Sequence, residues 1–175
     1  MRGQIILSHG SDSSPHATKV SALAAQAESR GWTTQRPDYS ADDARGHAEC
    51  VAPRIARLRA TIEALDEPPL LVGSSMGAFV SGLVSLDVPV AGLLLLATPR
   101  DIPGHARKFD LRSEGPTLLI HGWRDKVCPL AGVYDFASRR KLPLLVVDDD
   151  HRLGSSMATI AVQFQSMLDQ LAASA

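Results

Sequence analysis

Residues 70–79 read LLVGSSMGAF, an apolar run that is interrupted by GSSMG (73–77) and then resumes. A short, continuous apolar run is typical of a strand that is buried on both faces of a parallel sheet. The apolar residues that follow fit a helix over 76–86. The interruption therefore marks a junction between a strand and a helix. It is either an ordinary turn or a place where one serine is held exposed for chemistry.

Apolar runs of the same kind recur at intervals along the chain. They are QIILS (4–8), the run that ends at Gly73 (69–73), GLLLLA (92–97), TLLIHG (117–122) and PLLVVD (143–148), with WTTQRPDY (32–39) as a weaker candidate that Pro37 interrupts. Apolar residues at helical spacing lie between these runs. They predict helices over 15–30, around 55–65, over 76–86 and 130–141, and from Met157 to Leu171. Ser14, directly before Pro15, is the expected N-cap of the first helix.

Predicted strands and helices therefore alternate along the whole chain. Parallel strands need crossover connections, and right-handed crossovers place helices on both faces of the sheet. The sequence predicts a single α/β domain over residues 1–175. Its fold class is a three-layer α/β/α sandwich around a mainly parallel sheet of about six strands.

The composition excludes several classes of function. Of the 175 residues, 45% are hydrophobic and 21% are charged, and the net charge is −1. No basic patch indicates nucleic acid, and no basic amphipathic stretch indicates a membrane surface. The longest uncharged apolar stretch (88–99) is too short to span a bilayer, and the N-terminus lacks the features of a signal peptide. Cys50 and Cys128 without a spacing pattern fit a reducing compartment, so we expect a cytoplasmic protein of unknown oligomeric state.

The junction at 73–77 has the pattern Gly-x-Ser-x-Gly, with Ser75 as its middle residue. At a strand-to-helix turn, this pattern holds the middle residue in strained backbone geometry with its side chain exposed. The Met76 amide would begin the helix, where free N–H groups and the positive end of the helix dipole favour a developing oxyanion. Ser75 is therefore a candidate nucleophile, and a purely structural turn is the alternative.

A serine hydroxyl needs a base that takes its proton. Asp125 follows the predicted strand at 117–121, and His151 follows the one at 143–147. Because the carboxyl ends of parallel strands share one edge of the sheet, Ser75, Asp125 and His151 are expected to meet there. Other side chains compete for the two supporting roles. They are Asp148, Asp149 and Asp150 for the acid, and His9, His16, His47, His105 and His121 for the base.

Four segments together resemble the α/β-hydrolase family. They are SHGSDSSP (8–15), VGSSMG (72–77), HGWRDKVCP (121–129) and DDDHRLG (148–154). The order Ser, Asp, His along the chain is also the order of nucleophile, acid and base in that family. The chain looks like a small, capless, esterase-like member whose sheet lacks the family's two N-terminal strands. Since only residues 98–116 are available for a lid, the resemblance implies a reduced fold with a minimal lid or none.

The resemblance also implies roles for individual residues. Asp125 matches the acid of the family's H-G-x-x-D-x-x-V motif. The segment HGS (9–11) matches the H-G-x loop that supplies the second oxyanion donor, which makes the Ser11 amide the first choice and the Gly10 amide the second. Asp12, in the same loop, would oppose acidic acyl groups if its side chain pointed inward.

The sequence thus predicts a serine hydrolase that cleaves a small carboxylic ester or thioester through an acyl-enzyme. We expect a small-molecule acyl substrate, no cofactor and no metal. Trp123, Met76 and Tyr39 are the expected pocket walls, and Cys128 is interpreted as a spectator thiol. The same triad could cleave an amide or transfer an acyl group. A binding protein that keeps the hydrolase scaffold without turnover is the remaining alternative.

Overall fold

The computed structural model describes residues 2–112 and 114–174. Within these ranges the chain forms six strands: β1 (Gln4–Ser8), β2 (Thr33–Gln35), β3 (Leu70–Ser74), β4 (Gly92–Leu96), β5 (Thr117–Gly122) and β6 (Leu144–Val147). The same ranges contain six helices: α1 (Thr18–Glu28), α2 (Ser40–Asp43), α3 (Val51–Glu63), α4 (Met76–Ser85), α5 (Leu130–Arg140) and α6 (Met157–Ser174). The strands pair in parallel in one sheet, in the spatial order β2-β1-β3-β4-β5-β6.

Successive residues of the central strands face two separate hydrophobic cores, as the pleat of a strand requires. Leu71 and Leu93 pack in the core that α3, α4 and α5 cover. Leu70 and Leu94 pack in the core that α1 and α6 cover. Burial on both faces explains why the apolar runs are continuous rather than alternating. The predicted three-layer α/β/α sandwich is confirmed.

The observed strands agree with the predicted ones to within one residue, except that 32–39 contributes only the short β2. The prediction of a helix from residue 15 is wrong for the first turn, because α1 begins at Thr18. Ser14 instead closes a separate turn, in which its Oγ accepts the His16 N–H at 3.2 Å and its carbonyl oxygen accepts the Ala17 N–H at 3.1 Å. The four-residue α2 is too short to have an apolar period that could predict it.

Residues 97–116 join β4 to β5, and their described part contains neither a helix nor a strand. Phe109 and Leu111 anchor this loop in the core beside α4. The contact is close, since a Cβ at Gly82 would lie 2.3 Å from the Phe109 ring. The loop therefore packs against one helical layer instead of forming a separate lid. Nowhere in the described residues is a helix both long and apolar enough to cross a membrane.

Candidate active site

Ser75 lies between β3 and α4 with φ 54° and ψ −118°. A side chain other than glycine rarely adopts such a backbone conformation, which costs on the order of 1–3 kcal/mol. Two hydrogen bonds hold it: the Ser75 N–H donates to Leu96 O at 2.8 Å, and the Phe79 N–H donates to Ser75 O at 3.0 Å. Within 69–85, a stretch described in full, Ser75 is the one residue that is not buried. The fold thus presents Ser75, and not Ser74, to solvent.

The two glycines of the motif are required by close packing of the backbone. A Cβ at Gly73 would lie 2.5 Å from Gly77 O and 2.6 Å from Ala78 Cα. A Cβ at Gly77 would lie 2.1 Å from Ser8 O and 2.8 Å from His9 O. The first glycine lets α4 turn back against β3, and the second lets α4 start against the end of β1. Together they fix the sharp turn that carries Ser75.

His151 links Ser75 to Asp125 through its two ring nitrogens. The Oγ of Ser75 is 3.0 Å from His151 Nε2, and His151 Nδ1 is 2.8 Å from Asp125 Oδ2. An ionised carboxylate only accepts hydrogen bonds, so Nδ1 carries the proton and Nε2 can accept from the serine hydroxyl. The side chain of His151 is 22% exposed, whereas that of Asp125 is fully buried. This is the mutual geometry of a nucleophile, a base and an acid that orients the base.

Backbone N–H groups hold the Asp125 carboxylate in place. Its Oδ1 accepts the Val127 N–H at 2.9 Å and the Cys128 N–H at 2.7 Å, and its Oδ2 lies 2.8 Å from His151 Nδ1 and 3.3 Å from His121 Nε2. The competing acids at 148–150 have other partners: an arginine at the exposed first position, and nearby backbone N–H groups at the other two. Of these four described carboxylates, Asp125 is the one that hydrogen-bonds to the imidazole.

Two further histidines, His9 and His121, are buried and hydrogen-bond to backbone groups of loops. His9 donates from Nδ1 to Gly10 O at 2.7 Å, and its Nε2 accepts the Tyr39 N–H at 3.1 Å. His121 donates from Nε2 to Cys128 O at 2.7 Å. Burial lowers the pKa of both imidazoles below the ordinary value. Both rings are therefore neutral structural groups rather than rivals of His151.

The free energy of unfolding is expected to fall as the pH drops through about 6.5, the ordinary pKa of histidine. The unfolded chain takes up protons at that pH, whereas the folded protein keeps His9 and His121 neutral to a lower pH. Protonation would also place a hydrogen on His9 Nε2, the atom that accepts the Tyr39 N–H. Urea unfolding at about pH 7.5 and about pH 5.5 measures the effect.

Two variants test whether the buried imidazole causes this loss. His9→Gln is expected to show a smaller decrease of the urea midpoint between the two pH values than the wild-type protein. His16→Gln changes an exposed histidine and serves as the control. Equal decreases in the wild-type protein and in His9→Gln would contradict the role of His9.

The backbone N–H groups of Gly10, Ser11 and Met76 lie at this edge of the sheet and have no hydrogen-bond partner among the described residues. Met76 is the first residue of α4, where the helix dipole favours an anion. Gly10 lies against Ser75, since a Cβ there would be 3.4 Å from Ser75 Cβ. The strand order reverses between β1 and β3, and such a switch point is where α/β sheets bind ligands.

The residues expected to line a pocket differ in their exposure to solvent and in the direction of their side chains. Trp123 is 65% exposed on the loop that carries Asp125. The expectation that Tyr39 forms a pocket wall is wrong, because Tyr39 is fully buried and its hydroxyl lies 2.9 Å from Ser8 Oγ. Asp12 does not point inward: its side chain is 83% exposed and lies 3.4 Å from His47 Nε2.

Two further residues lie near this site that the sequence pattern did not lead us to expect. Val127 is 70% exposed in the loop of Asp125 and adds apolar surface there. Arg54 is fully buried on α3. A signal for Arg54 was present, since it stands three residues after Val51 and four before Leu58, on the stripe that packs inward. A charged residue on an apolar stripe indicates a buried partner.

The thiol of Cys128 lies in the loop that follows Asp125. Burial raises the pKa of this thiol to about 12. The thiolate, which is the nucleophilic form, is therefore disfavoured, in agreement with the interpretation of a spectator. In the part of the chain that the structure describes, no three His, Cys, Asp or Glu side chains are grouped so as to hold a metal ion.

Comparison with known proteins assigns the chain to a family. Its residues 5–173 match the model of the alpha/beta hydrolase family. A protein of the alpha/beta hydrolase superfamily from Xanthomonas campestris pv. campestris is 38% identical, with a TM-score of 0.90 over 96% of this chain and 99% of that one. The chain therefore belongs to the alpha/beta hydrolase family, and the resemblance seen in its sequence is confirmed.

More distant solved structures share the fold. An alpha/beta serine hydrolase without a lid from Xanthomonas campestris is 18% identical, with a TM-score of 0.71 over 95% of this chain and 81% of that one. An alpha-beta serine hydrolase homologue from Coxiella burnetii is 21% identical, with a TM-score of 0.76 over 94% of this chain and 84% of that one. No curated protein sequence matches the chain significantly.

Proposed function

We propose that the protein is a serine hydrolase that cleaves a small carboxylic ester or thioester through an acyl-enzyme intermediate. The observation that carries the proposal is the continuous hydrogen-bonded chain from Ser75 through His151 to Asp125. Membership of the alpha/beta hydrolase family supports hydrolysis as the class of reaction. The described part of loop 97–116 packs against one helical layer and does not form a lid. This position favours an open site that a small substrate can enter.

In the acylation half-reaction, Ser75 Oγ attacks the acyl carbon while His151 Nε2 takes the hydroxyl proton. The carbonyl π electrons move onto oxygen, and the resulting oxyanion accepts hydrogen bonds from the Met76 amide and from the Ser11 or Gly10 amide. Collapse of this intermediate breaks the bond to the leaving group, which takes the proton from His151. Asp125 stabilises the imidazolium and keeps its orientation.

In the deacylation half-reaction, a water molecule replaces the alcohol or thiol. His151 Nε2 takes a proton from this water as it attacks the acyl carbon, and the same amides bind the second oxyanion. Collapse breaks the bond to Ser75 Oγ, which recovers its proton from His151. The carboxylic acid leaves and the enzyme is regenerated.

Asp125→Asn is expected to lower kcat for a nitrophenyl ester by about 10⁴-fold, the loss typical of this change in serine triads. The asparagine Oδ1 can still accept the Val127 and Cys128 N–H groups, so the loop is retained. Its NH₂ group would face His151 Nδ1 and favour the tautomer that has its proton on Nε2. Nε2 could then no longer accept the Ser75 proton. Steady-state hydrolysis of nitrophenyl acetate measures the change.

Asp148→Asn is the matched control, because it makes the same chemical change at a side chain that is 80% exposed and pairs with Arg124 instead of His151. Its kcat is expected to equal that of the wild-type protein. A decrease of less than about tenfold in Asp125→Asn would remove Asp125 from its proposed role.

A further inference from the structure

Arg54 is the largest side chain that is fully buried in the described residues. A buried guanidinium is costly unless its charge is paired and its N–H groups are bonded. Asp43 supplies the charge: Arg54 Nε lies 2.6 Å from Asp43 Oδ1, and Nη2 lies 2.6 Å from Oδ2. The Tyr39 ring lies 4.5 Å from the guanidinium carbon. The pair thus fills the space between α3, α2 and the loop that follows β1.

The remaining N–H groups of Arg54 bind two successive carbonyl groups of that loop. Nη1 donates to His9 O at 2.8 Å, and Nη2 donates to Gly10 O at 2.9 Å. Gly10 O also accepts from the His9 imidazole at 2.7 Å. The planar fork of arginine suits this arrangement, since one rigid group holds two carbonyl oxygens and a carboxylate together.

Fixing these carbonyl groups also fixes the amides that follow them. No described peptide bond is cis. In a planar trans peptide, the C=O of one residue and the N–H of the next point in opposite directions. The bond to His9 O therefore turns the Gly10 N–H away from Arg54, and the bond to Gly10 O does the same for the Ser11 N–H. These are two of the amides without a partner at the carboxyl edge of the sheet, and Gly10 lies against Ser75.

A cation on the carbonyl oxygen also polarises the peptide group and strengthens its N–H as a donor. Because Asp43 neutralises the charge of Arg54, the pair exerts little direct electrostatic attraction on the site. Arg54 therefore acts on the site through the peptide groups that it orients and polarises. We propose that Arg54, paired with Asp43, is a positioning residue that aims the Gly10 and Ser11 amides at the oxyanion. This inference rests on the function proposed above. Arg54 itself touches neither the substrate nor the reacting atoms.

The test compares Arg54→Lys with the wild-type protein. Lysine keeps the charge but has a single nitrogen, which cannot hold both carbonyl oxygens and Asp43 in one plane. For nitrophenyl acetate, kcat is expected to fall by about 10²-fold with KM unchanged, as for the loss of one oxyanion donor. In ¹H–¹⁵N spectra, the Gly10 and Ser11 amide resonances are expected to move.

Arg57→Lys is the matched control, since Arg57 lies one turn along α3 and pairs with Asp42 of the same short helix, at 2.7 Å and 3.3 Å. Arg57 binds no carbonyl of the loop after β1, so kcat and the two resonances are expected to stay unchanged. Urea unfolding of both variants measures how much stability is lost when each arginine of the two ion pairs is replaced. Because Arg54 is fully buried whereas the Arg57 side chain is 45% exposed, Arg54→Lys is expected to lose more stability, so kcat is compared at a temperature at which the urea curves show both variants folded.

The outcomes separate this inference from the proposed function. An active wild-type protein whose kcat is the same in Arg54→Lys and Arg57→Lys would overturn the inference and keep the serine hydrolase. A wild-type protein that hydrolyses no ester, while the Gly10 and Ser11 resonances still move in Arg54→Lys alone, would overturn the function and keep the control of the loop by Arg54. Unchanged resonances in Arg54→Lys would overturn the inference irrespective of activity.

Discussion

Ser75→Ala is expected to lower kcat/KM for a nitrophenyl ester by at least about 10⁴-fold, because it removes the atom that forms the acyl bond. The residual rate would come from substrate binding and from the backbone amides of the oxyanion site. The fold is expected to survive, since Ser75 Oγ hydrogen-bonds to His151 alone among the described residues. Initial rates with nitrophenyl acetate and a urea unfolding curve measure the two quantities.

Ser74→Ala is the control for this prediction. Ser74 is adjacent in sequence, also a serine, and 6% exposed at the end of β3. Its loss is expected to change kcat/KM by less than about tenfold. If Ser75→Ala retained the wild-type rate, or if the two alanine variants lost activity equally, the assignment of Ser75 as nucleophile would be wrong.

Gly77→Ala is expected to have the largest effect on stability, a loss of about 3 kcal/mol in the free energy of unfolding, at the upper end of the range for overpacking. The added Cβ would lie 2.1 Å from Ser8 O and 2.6 Å from Ser8 C. Both are backbone atoms of β1, which is paired on both sides by β2 and β3 and cannot easily move. Urea unfolding measures the loss, and the displaced turn is expected to reduce hydrolysis as well.

Gly154→Ala is the matched control for the same substitution. A Cβ at Gly154 would have no atom within 4 Å, and the backbone there does not have a positive φ. The change is expected to be neutral or to stabilise by up to about 1 kcal/mol, because alanine restricts the unfolded chain. A Gly77→Ala protein as stable as the wild type would show that α4 and β1 are not packed as closely as described.

The sheet and the convergence of Ser75, Asp125 and His151 were predictable for the same physical reason. Leucine-rich runs such as 92–97 can be buried on both faces only in a parallel sheet with helices on each side. In such a sheet the carboxyl ends of the strands share one edge, so residues after different strands converge. Ser75, Asp125 and His151 each follow a different strand. Their meeting at this edge could therefore be predicted without knowledge of any loop conformation.

The direction of loop side chains was not predictable in this way. Tyr39 and Asp12 both lie in loops at the carboxyl edge of the sheet, yet one is fully buried and the other points to solvent. Their orientation depends on partners far away in sequence, Ser8 for the tyrosine and His47 for the aspartate. Arg54 shows the same limit, because its partners come from two other segments of the chain.

The central claim is that Ser75 is a nucleophile activated by His151 and Asp125. The most direct test is to treat the folded protein with a fluorophosphonate, which reacts with activated serines, and to locate the adduct by peptide mass spectrometry. We expect a label on Ser75 in the wild-type protein, much slower labelling in Asp125→Asn, and none in Ser75→Ala. A folded wild-type protein that takes up no label, or takes it up at another residue, would contradict the account.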